Sequence, residues 1–401
     1  MSLFCTMPVE RDTAKNQSSQ HEHDDNEPIL HTPQIYRRRC PRSSLSFYIM
    51  ADAPDFDQLS CPVPMMSYEN VLLGHGSGGK LSAELIQGLF LSEFRDETLA
   101  RLEDQATLQL DGARLAFTTD SYVVRPLFFP GGDIGRLAVH GTINDLAVGG
   151  AKPVCLSAAF ILEEGLPMDT LRRIAASMQN ACDEAGVRLV TGDTKVVDRG
   201  KGDQVFINTS GIGVVPEGRS LSIRNARPGD KIIISGTIGD HGISIMSVRE
   251  GIEFETVLES DTAALAGLTN VMLESCPAIR CMRDPTRGGV SSALNELAKA
   301  SGVGVRLDEA AIPIKREVHA ACEMLGLDPL YVANEGKLIA VVPPDSADRL
   351  LRAMQEHPLG RSAAIIGEVV ADSSHMVVMK SLVGGERVVT MLSGEQLPRI
   401  C

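Results

Sequence analysis

The stretch DIGRLAVHGTINDLAVGGAKPVCLSAAFIL, residues 133–162, predicts a helix that is followed directly by a strand. Its first half carries apolar residues at helical spacing, namely Ile134, Leu137, Ala138, Ile143, Leu146 and Ala147. The helix should end at Gly149 and Gly150, because neither glycine nor the following Pro153 favours its continuation. The next apolar run, VCLSAAFIL, is typical of a strand.

Strands and helices also mix on both sides of this stretch. Upstream, ARLAFTTD (113–120) alternates like a strand, and downstream DTLRRIAASMQNACDEAG (169–186) predicts a helix before the strands VRLVTGD and QVFINTSGIGVV. A turn at RNARPGD (224–230) precedes a second half that begins again with the strand KIIISG. Because strand and helix do not alternate strictly in either half, the sequence predicts α+β domains with antiparallel or mixed sheets.

The length and net charge of the chain limit the number of domains and the kinds of partner that we expect. A chain of 401 residues with 43% hydrophobic content suggests two domains, which we place at 61–223 and 224–385. The net charge of -14 repels phosphate backbones, so no nucleic acid is expected as a partner, and a phosphate ligand should come with a divalent cation. No apolar run approaches the roughly 20 residues that span a bilayer, so no membrane contact is expected.

The cysteines indicate a reducing compartment. All nine are scattered along the chain, with no CxxC pair and no metal-ligand spacing. An odd and scattered set fits free thiols, and we therefore expect a cytoplasmic protein.

The two ends of the chain differ from the rest. Residues 1–60 are polar and contain proline, so they cannot bury enough apolar area to offset their ordering entropy, and we predict a disordered extension. Residues 386–401 are expected to form a flexible tail that ends in Cys401. We expect a thiol at that position to be mobile and accessible rather than buried. The alternative is that one cysteine among nine lies there by chance.

Three aspartates occupy comparable positions in the first half. Asp120 closes FTTD, Asp145 lies in the helical segment TINDLA, and Asp193 closes VTGD, followed by Thr194. Carboxylates that converge above a sheet edge supply the oxygen ligands that Mg²⁺ prefers, and so make a nucleotide tolerable in an acidic protein. The alternative is that each is an ordinary turn or cap residue.

The loop GHGSGGK (74–80) is a candidate phosphate-binding segment. It lacks the spacing of a Walker A motif, because Lys80 is followed by Leu81. Glycines still allow backbone N–H groups to approach phosphate oxygens. The candidate residues are Gly74, His75, Gly76, Ser77, Gly78, Gly79 and Lys80. A flexible surface loop is the alternative.

Two further residues could take part in chemistry. Lys195 follows the aspartate in TGDTKVV, and Glu335 lies in VANEGKL just before a strand. A lysine can polarise a substrate oxygen and a glutamate can remove a proton. Taken singly, each could equally be a solvated surface group.

In this order, the segments GHGSGGK, TTDSYVV, GDIGRLAVHGTINDLA, TGDTKVV, PGDKIIISGTIGDHG, RDPTRGGV, NEGK and the terminal PRIC closely resemble the HypE family of hydrogenase maturation factors. These are carbamoyl dehydratases of the PurM-like ATP-binding superfamily. The resemblance runs from about residue 57 to Cys401, and the ending is its discriminating feature.

The resemblance implies a PurM-like homodimer whose N-terminal α+β domain binds ATP and Mg²⁺ across the subunit interface, with a C-terminal α/β domain behind it. Cys401 would accept a carbamoyl group from a HypF-type carbamoyltransferase, and ATP would drive its dehydration to a thiocyanate. The cyanide would then pass to iron on the HypC–HypD scaffold for the [NiFe]-hydrogenase centre.

The resemblance also assigns roles to the candidate residues. Asp120, Asp145 and Asp193 would hold Mg²⁺ and ATP, with the 74–80 loop over the phosphates. Lys195 would steady charge on the amide oxygen and Glu335 would act as the base. Because only the thiolate is a nucleophile, we expect Arg399 or another cation at the site to lower the pKa of the Cys401 thiol.

The sequence leaves two other functions open. Selenophosphate synthetase, aminoimidazole ribonucleotide synthetase and thiamine-phosphate kinase share the ATP scaffold. The selenium enzyme usually carries a cysteine in its glycine-rich loop, and here no cysteine lies between Cys61 and Cys155. The other reading is a non-catalytic scaffold that binds nucleotide only to dock partners.

Overall fold

The structure is a computed structural model that describes residues 68, 70–251, 257–394 and 400–401. The predicted disordered extension (1–60) lies outside the described residues, and so does Arg399 within 395–399. Among the described residues, no helix has the length and apolar character of a membrane span.

The helices begin and end as follows: α1 (Lys80–Leu85), α2 (Leu91–Phe94), α3 (Ile134–Val148), α4 (Met168–Ala185), α5 (Asp240–Glu250), α6 (Ala266–Ser275), α7 (Gly289–Ser301), α8 (Arg316–Leu325) and α9 (Pro344–Glu356). A π turn at Ile86–Phe90 joins α1 to α2. Short 3₁₀ turns lie at Leu73–Gly76, Leu99–Arg101, Glu309–Ala311, Pro329–Tyr331 and Pro358–Gly360.

The strands are β1 (Ala106–Leu110), β2 (Ala113–Tyr122), β3 (Phe128–Phe129), β4 (Gly132–Asp133), β5 (Lys152–Glu163), β6 (Arg188–Val197), β7 (Val205–Val214), β8 (Lys231–Ile234), β9 (Cys281–Arg283), β10 (Gly304–Asp308), β11 (Ile339–Val342), β12 (Ala364–Val370), β13 (Val377–Lys380) and β14 (Glu386–Val388).

The first sheet has the strand order β1-β2-β7-β5-β6, and its neighbours are antiparallel except for the parallel pair β5 and β6. Its helix α3 ends before Gly149 and Gly150, as the sequence predicts. The helix approaches β7 closely, since the Thr209 hydroxyl donates to the Ala138 carbonyl at 3.0 Å. Gly211 permits this approach, because a Cβ atom there would lie 2.8 Å from the Thr142 side chain.

Strand alternation divides this sheet into an inner face, which α3 covers, and an outer face. Ala116, Thr118 and Asp120 of β2 lie on the inner face, whereas Phe117 lies on the outer face beside its pairing partner Ile212. Successive strand residues point to opposite faces, so this division is a direct consequence of the register.

The second sheet has seven strands in the order β14-β13-β10-β12-β8-β11-β9, and only β10 and β13 are parallel neighbours. Helices cover both faces. Ile232 and Ile234 of β8 belong to the apolar cluster that contains Leu294 of α7, whereas Ile233 belongs to the cluster that contains Met272 of α6. Strands β3 and β4 form a separate two-stranded antiparallel sheet. The described chain is thus an α+β protein with mixed sheets, as predicted.

Asn144 of α3 joins the two halves. Its side-chain amide donates to the carbonyl oxygens of Ala263 at 3.0 Å and Glu335 at 3.2 Å, and its oxygen accepts from the Leu265 N–H at 2.8 Å. The amide is buried, and all three bonds cross to segments of the second half. One side chain therefore fixes α3 and Glu335 relative to each other.

Candidate active site

An open cleft lies between the two halves, with a volume of about 1240 Å³ that includes solvent at its mouth. The inner face of β2 and helix α3 form one wall, and residues 283–293, which lead into α7, form another. Asp120, Asp145, Glu335 and Cys401 all line it, and Gly78 closes one side. A large pocket with convergent polar groups is the usual character of a ligand site.

Cys401 and Glu335 lie close to each other in this cleft. The Cys401 thiol is near enough to the Glu335 carboxyl group for the two groups to affect each other's protonation. Burial, and then the carboxylate of Glu335, raise the pKa of the thiol well above its ordinary value, and the nearby Arg287 guanidinium opposes this effect. Glu335 is 3% exposed, and burial raises its pKa well above the usual value as well. The pair therefore favours a neutral thiol.

The backbone around Glu335 is held by Asp261. The Glu335 N–H donates to Asp261 Oδ1 at 3.0 Å, and Lys337 Nζ lies 3.3 Å from Asp261 Oδ2. Gly336 is required between them, because a Cβ atom there would lie 1.8 Å from the Asp261 carbonyl oxygen. Oε1 of Glu335 is buried without a hydrogen-bond partner among the described residues, so it is available to accept a proton.

Four buried or partly buried aspartates add negative charge to the cleft. The Asp145 carboxylate accepts from the Thr118 hydroxyl at 2.6 Å, and Asp120 accepts from the Tyr122 hydroxyl at 3.0 Å. Burial raises the pKa of Asp284 to about 8 and that of Asp104 to about 6, and it raises the pKa of Asp120 and Asp145 as well. Carboxyl groups crowded in this way disfavour one another's ionised form.

The cations of the cleft do not balance these acids. Arg283 is engaged by Asp104 at 3.3 Å and Glu296 at 2.6 Å, which leaves Arg287 as the cation nearest to Cys401 among the described residues. Oxygen-rich, under-neutralised sites are what Mg²⁺ prefers. In the described part of the chain, no three acidic, His or Cys residues are arranged to enclose an ion by themselves. The carboxylate oxygens of Asp120, Asp145 and Asp284 are chemically suited to a hard cation.

The structure does not bring Asp193 to Asp120 and Asp145 within one chain. Strand β6 continues to Val197, so the expectation that Asp193 ends a strand is wrong. Asp193 pairs with Ala159 on the outer face of the sheet, and three strand spacings, roughly 14 Å, separate β6 from β2. The expected convergence of the three aspartates above one sheet edge is thus absent from a single protomer.

Thr194 and Lys195 lie on the same exposed edge strand. The Lys195 ammonium is 3.9 Å from Asp193, and both side chains are exposed. Neither Thr194 nor Lys195 lines the cleft of its own chain. Lys195 pairs with Ile161 and therefore shares the outer face with Asp193, where a second molecule could meet it.

Most of the 74–80 loop is engaged elsewhere. The Ser77 hydroxyl donates to the carbonyl oxygens of Gly74 and Gly394, His75 Nδ1 accepts from Leu72, and Lys80 begins α1 with Glu84 at 3.8 Å. Gly76 has open space around it, and Gly79 lies against the Leu392 carbonyl. Gly78 alone of these residues lines the cleft in the described structure.

Sequence reasoning missed Asp284, Arg287 and His241. The first two belong to RDPTRGGV, where three charged residues precede the glycine pair that opens α7, a 13-residue helix whose N-terminus lies on the cleft wall. Helix N-termini attract phosphate groups, and this combination was an available signal. His241 lies in GDHG, and nothing in that motif by itself indicates its partner.

Comparisons with known proteins give matches to both halves of the chain. Residues 102–215 match the family model of the N-terminal domain of AIR synthase related proteins, and residues 227–380 match that of the C-terminal domain. The carbamoyl dehydratase HypE of Azotobacter vinelandii is 60% identical over 332 residues, which cover 83% of this chain and 97% of that protein.

Two solved structures are similar along their whole length. A crystal structure of HypE in complex with ATP has a TM-score of 0.70 and 49% identity, and the match covers 83% of this chain and 100% of that one. A chain of a HypE–HypF complex has a TM-score of 0.73 and 50% identity, with 77% and 99% covered.

Proposed function

Because the chain belongs to the HypE family of carbamoyl dehydratases, we propose that it dehydrates a carbamoyl group carried as a thiocarboxamide on Cys401 and leaves a thiocyanate. The product would supply the cyanide ligands of the [NiFe]-hydrogenase iron centre. The observation that carries this proposal is the pairing of the terminal thiol with buried Glu335 inside an acidic cleft.

The chemistry needs an activated oxygen and a base. ATP would supply the phosphoryl group that makes the amide oxygen a good leaving group, with Mg²⁺ to neutralise its phosphates. Asp120 and Asp145 lie where they could hold these groups, and the α7 N-terminus faces the same space. Glu335 would take the first N–H proton and pass it to the departing phosphate or to solvent before it takes the second, since burial makes it a stronger base than a solvated carboxylate.

The outer face of the first sheet supports a homodimer. It carries exposed apolar side chains at Leu108, Phe117, Ile161, Ile212 and Val214. Contiguous apolar surface of this kind marks an interface in a soluble protein. Asp193 and Lys195 lie on the same face, so we propose that a second copy presents them to the cleft of the first, where Lys195 would steady charge on the amide oxygen.

The partners follow from the chemistry. A HypF-type carbamoyltransferase would load Cys401, and the similarity to a HypE chain solved with HypF supports this assignment. A HypC–HypD scaffold would receive the cyanide.

Intact-protein mass spectrometry tests the proposed function. After incubation with the carbamoyl donor, the chain should gain one carbamoyl group, and ATP should then remove one water, both on the last peptide. Cys401→Ala should abolish both changes, whereas Cys155→Ala, at a half-buried cysteine outside the cleft, should not. ATP hydrolysis with no mass change on the last peptide would instead favour a nucleotide-binding scaffold.

A further inference from the structure

The last two residues are docked by their backbone as well as by the thiol. The Ile400 carbonyl oxygen lies 2.8 Å from His241 Nε2, and the Val123 N–H donates to the Cys401 carbonyl oxygen at 3.3 Å. The Ile400 side chain is 5% exposed and belongs to an apolar core cluster that includes Ile245 and Ala333 of the second half. This segment thus occupies a formed site.

The tautomer of His241 follows from its second partner. His241 Nδ1 lies 2.7 Å from Ser260 Oγ, and Ser260 Oγ already accepts the Thr262 N–H at 3.2 Å. The Ser260 hydroxyl proton is therefore available to Nδ1, which leaves the ring proton on Nε2, where it donates to Ile400. Burial lowers the pKa of His241, which keeps the ring neutral and so preserves this arrangement.

The same short segment also holds the base. Ser260 orients His241, and the next residue, Asp261, accepts the Glu335 N–H. Ser260 is itself anchored, because its N–H donates to the Pro130 carbonyl at 2.8 Å. His241 is fully buried and packs edge-to-face on Phe129 at 5.6 Å between ring centroids. The imidazole therefore has little freedom to follow a displaced tail.

We propose that His241, oriented by Ser260, is a positioning residue that binds the carbonyl of residue 400, while the adjoining apolar pocket accepts an aliphatic side chain at that residue. The ligand of this site is the carboxy-terminal dipeptide of the chain itself. This contact sets the Cys401 sulfur against Glu335. The effect of this docking on catalysis rests on the proposed dehydration. The docking itself does not depend on that proposal.

Alkylation of Cys401 in the full-length protein tests the docking without any assumption about the reaction. Iodoacetamide with peptide mapping should modify Cys401 slowly in the wild type. His241→Ala should raise this rate roughly three- to tenfold, the factor that corresponds to one lost neutral hydrogen bond. His241→Gln, which retains an N–H donor, should return the rate towards the wild-type value. Cys155 serves as the internal reference, and His319→Ala, at an exposed position of α8, as the matched control.

Measurement of the carbamoylation and dehydration steps separates a docking role of His241 from a general structural role. His241→Ala should still accept the carbamoyl group but should dehydrate it more slowly, with recovery in His241→Gln. An unchanged Cys401 alkylation rate in a folded His241→Ala protein would overturn the proposal. If His241→Ala does not fold, Ile400→Asn replaces it, because a polar group in the apolar pocket should also accelerate alkylation, and failure to do so would overturn the proposal equally. If the wild type performs no carbamoyl chemistry, the proposed function fails and the alkylation result still decides the docking.

Discussion

At the scale of single residues, the site depends on charges that oppose each other around one sulfur. Burial and the charge of Glu335 raise the pKa of the Cys401 thiol, whereas Arg287 lowers it. From the sequence we expect Arg399 or another cation to lower the pKa of the Cys401 thiol. In the described structure, Arg287 is a cation with this effect. Carbamoylation of Cys401 would require its thiolate, whereas dehydration would require Glu335 as a base. The two steps thus place different demands on the same few side chains.

Removing the base should stop dehydration without stopping loading. We expect Glu335→Gln to slow ATP-dependent loss of water by about 10²–10⁴-fold, the usual contribution of a positioned base. Carbamoylation of Cys401 should persist, because the thiol remains in place. Single-turnover mass spectrometry of the loaded protein measures both steps. Rapid dehydration in this variant would exclude Glu335 as the base.

Removing Arg287 should shift the thiol titration to higher pH. Its guanidinium favours the thiolate, so the pKa of Cys401 should rise in Arg287→Gln, and it should fall in Glu335→Gln, where a neighbouring negative charge is lost. The pH profile of Cys401 alkylation reports both shifts. Arg352→Gln, on the exposed side of α9, is the control and should leave the profile unchanged.

At the scale of elements, the segment that contains Ser260 and Asp261 connects the tail to the base. Asp261 accepts the Glu335 N–H and pairs with Lys337, and its carbonyl packs against Gly336. Because the contact at Gly336 is with backbone, no side-chain rotation can relieve a larger residue there. The turn at 335–337 therefore has one allowed position relative to the cleft.

A methyl group at Gly336 tests this rigidity. Gly336→Ala should destabilise the protein by roughly 1–3 kcal/mol, as overpacking does, and should slow dehydration because Glu335 is displaced. Thermal unfolding and single-turnover dehydration are the measurements. Gly88→Ala is the matched control, since a Cβ atom at Gly88 meets nothing within 4 Å. If both variants behave alike, the proposed clamp on Glu335 is wrong.

At the scale of the whole molecule, the cleft of one chain lacks some of the residues to which the family resemblance assigns a role. Cys401, Glu335, Asp120 and Asp145 line it, whereas Lys195 lies on the outer face of β6. That face is apolar and exposed, with Phe117 42% accessible. A second copy would cover the apolar face and add the missing lysine to the cleft.

Subunit complementation tests this arrangement. Lys195→Ala and Glu335→Gln chains should each be inactive alone, but a mixed dimer should regain activity, because one of its two clefts then has both residues intact. Dehydration is measured after co-expression of two differently tagged chains. Absence of recovery in verified mixed dimers would place both residues in the same subunit's site.

Weakening the interface supplies a second whole-molecule test. Phe117→Glu should shift the protein towards monomer in analytical ultracentrifugation, because it places a charge in an apolar contact. Dehydration should fall in parallel with the dimer fraction. Met324→Glu is the matched control, since Met324 is an exposed apolar residue of α8 in the second half, and this variant should remain dimeric. A Phe117→Glu protein that stays dimeric would place the interface on another face.

Several features of the fold could be predicted because they have local causes. The apolar spacing in 134–147 and the glycines after it determine α3, and the alternation in 113–120 determines β2. The missed features depend on contacts distant in sequence. His241 meets Ile400 across 159 residues, and no local pattern indicates such a pairing.

The sequence by itself determined elements such as α3 and β2, the mixed α+β class and the family, since each depends on residue order or on a period of a few residues. Only the tertiary structure decided that Asp120 faces the cleft while Asp193 faces outward, because strand register sets the face of a side chain. It also decided that Cys401 meets Glu335, and it sets their pKa values, because burial and neighbouring charge exist only after distant segments pack together.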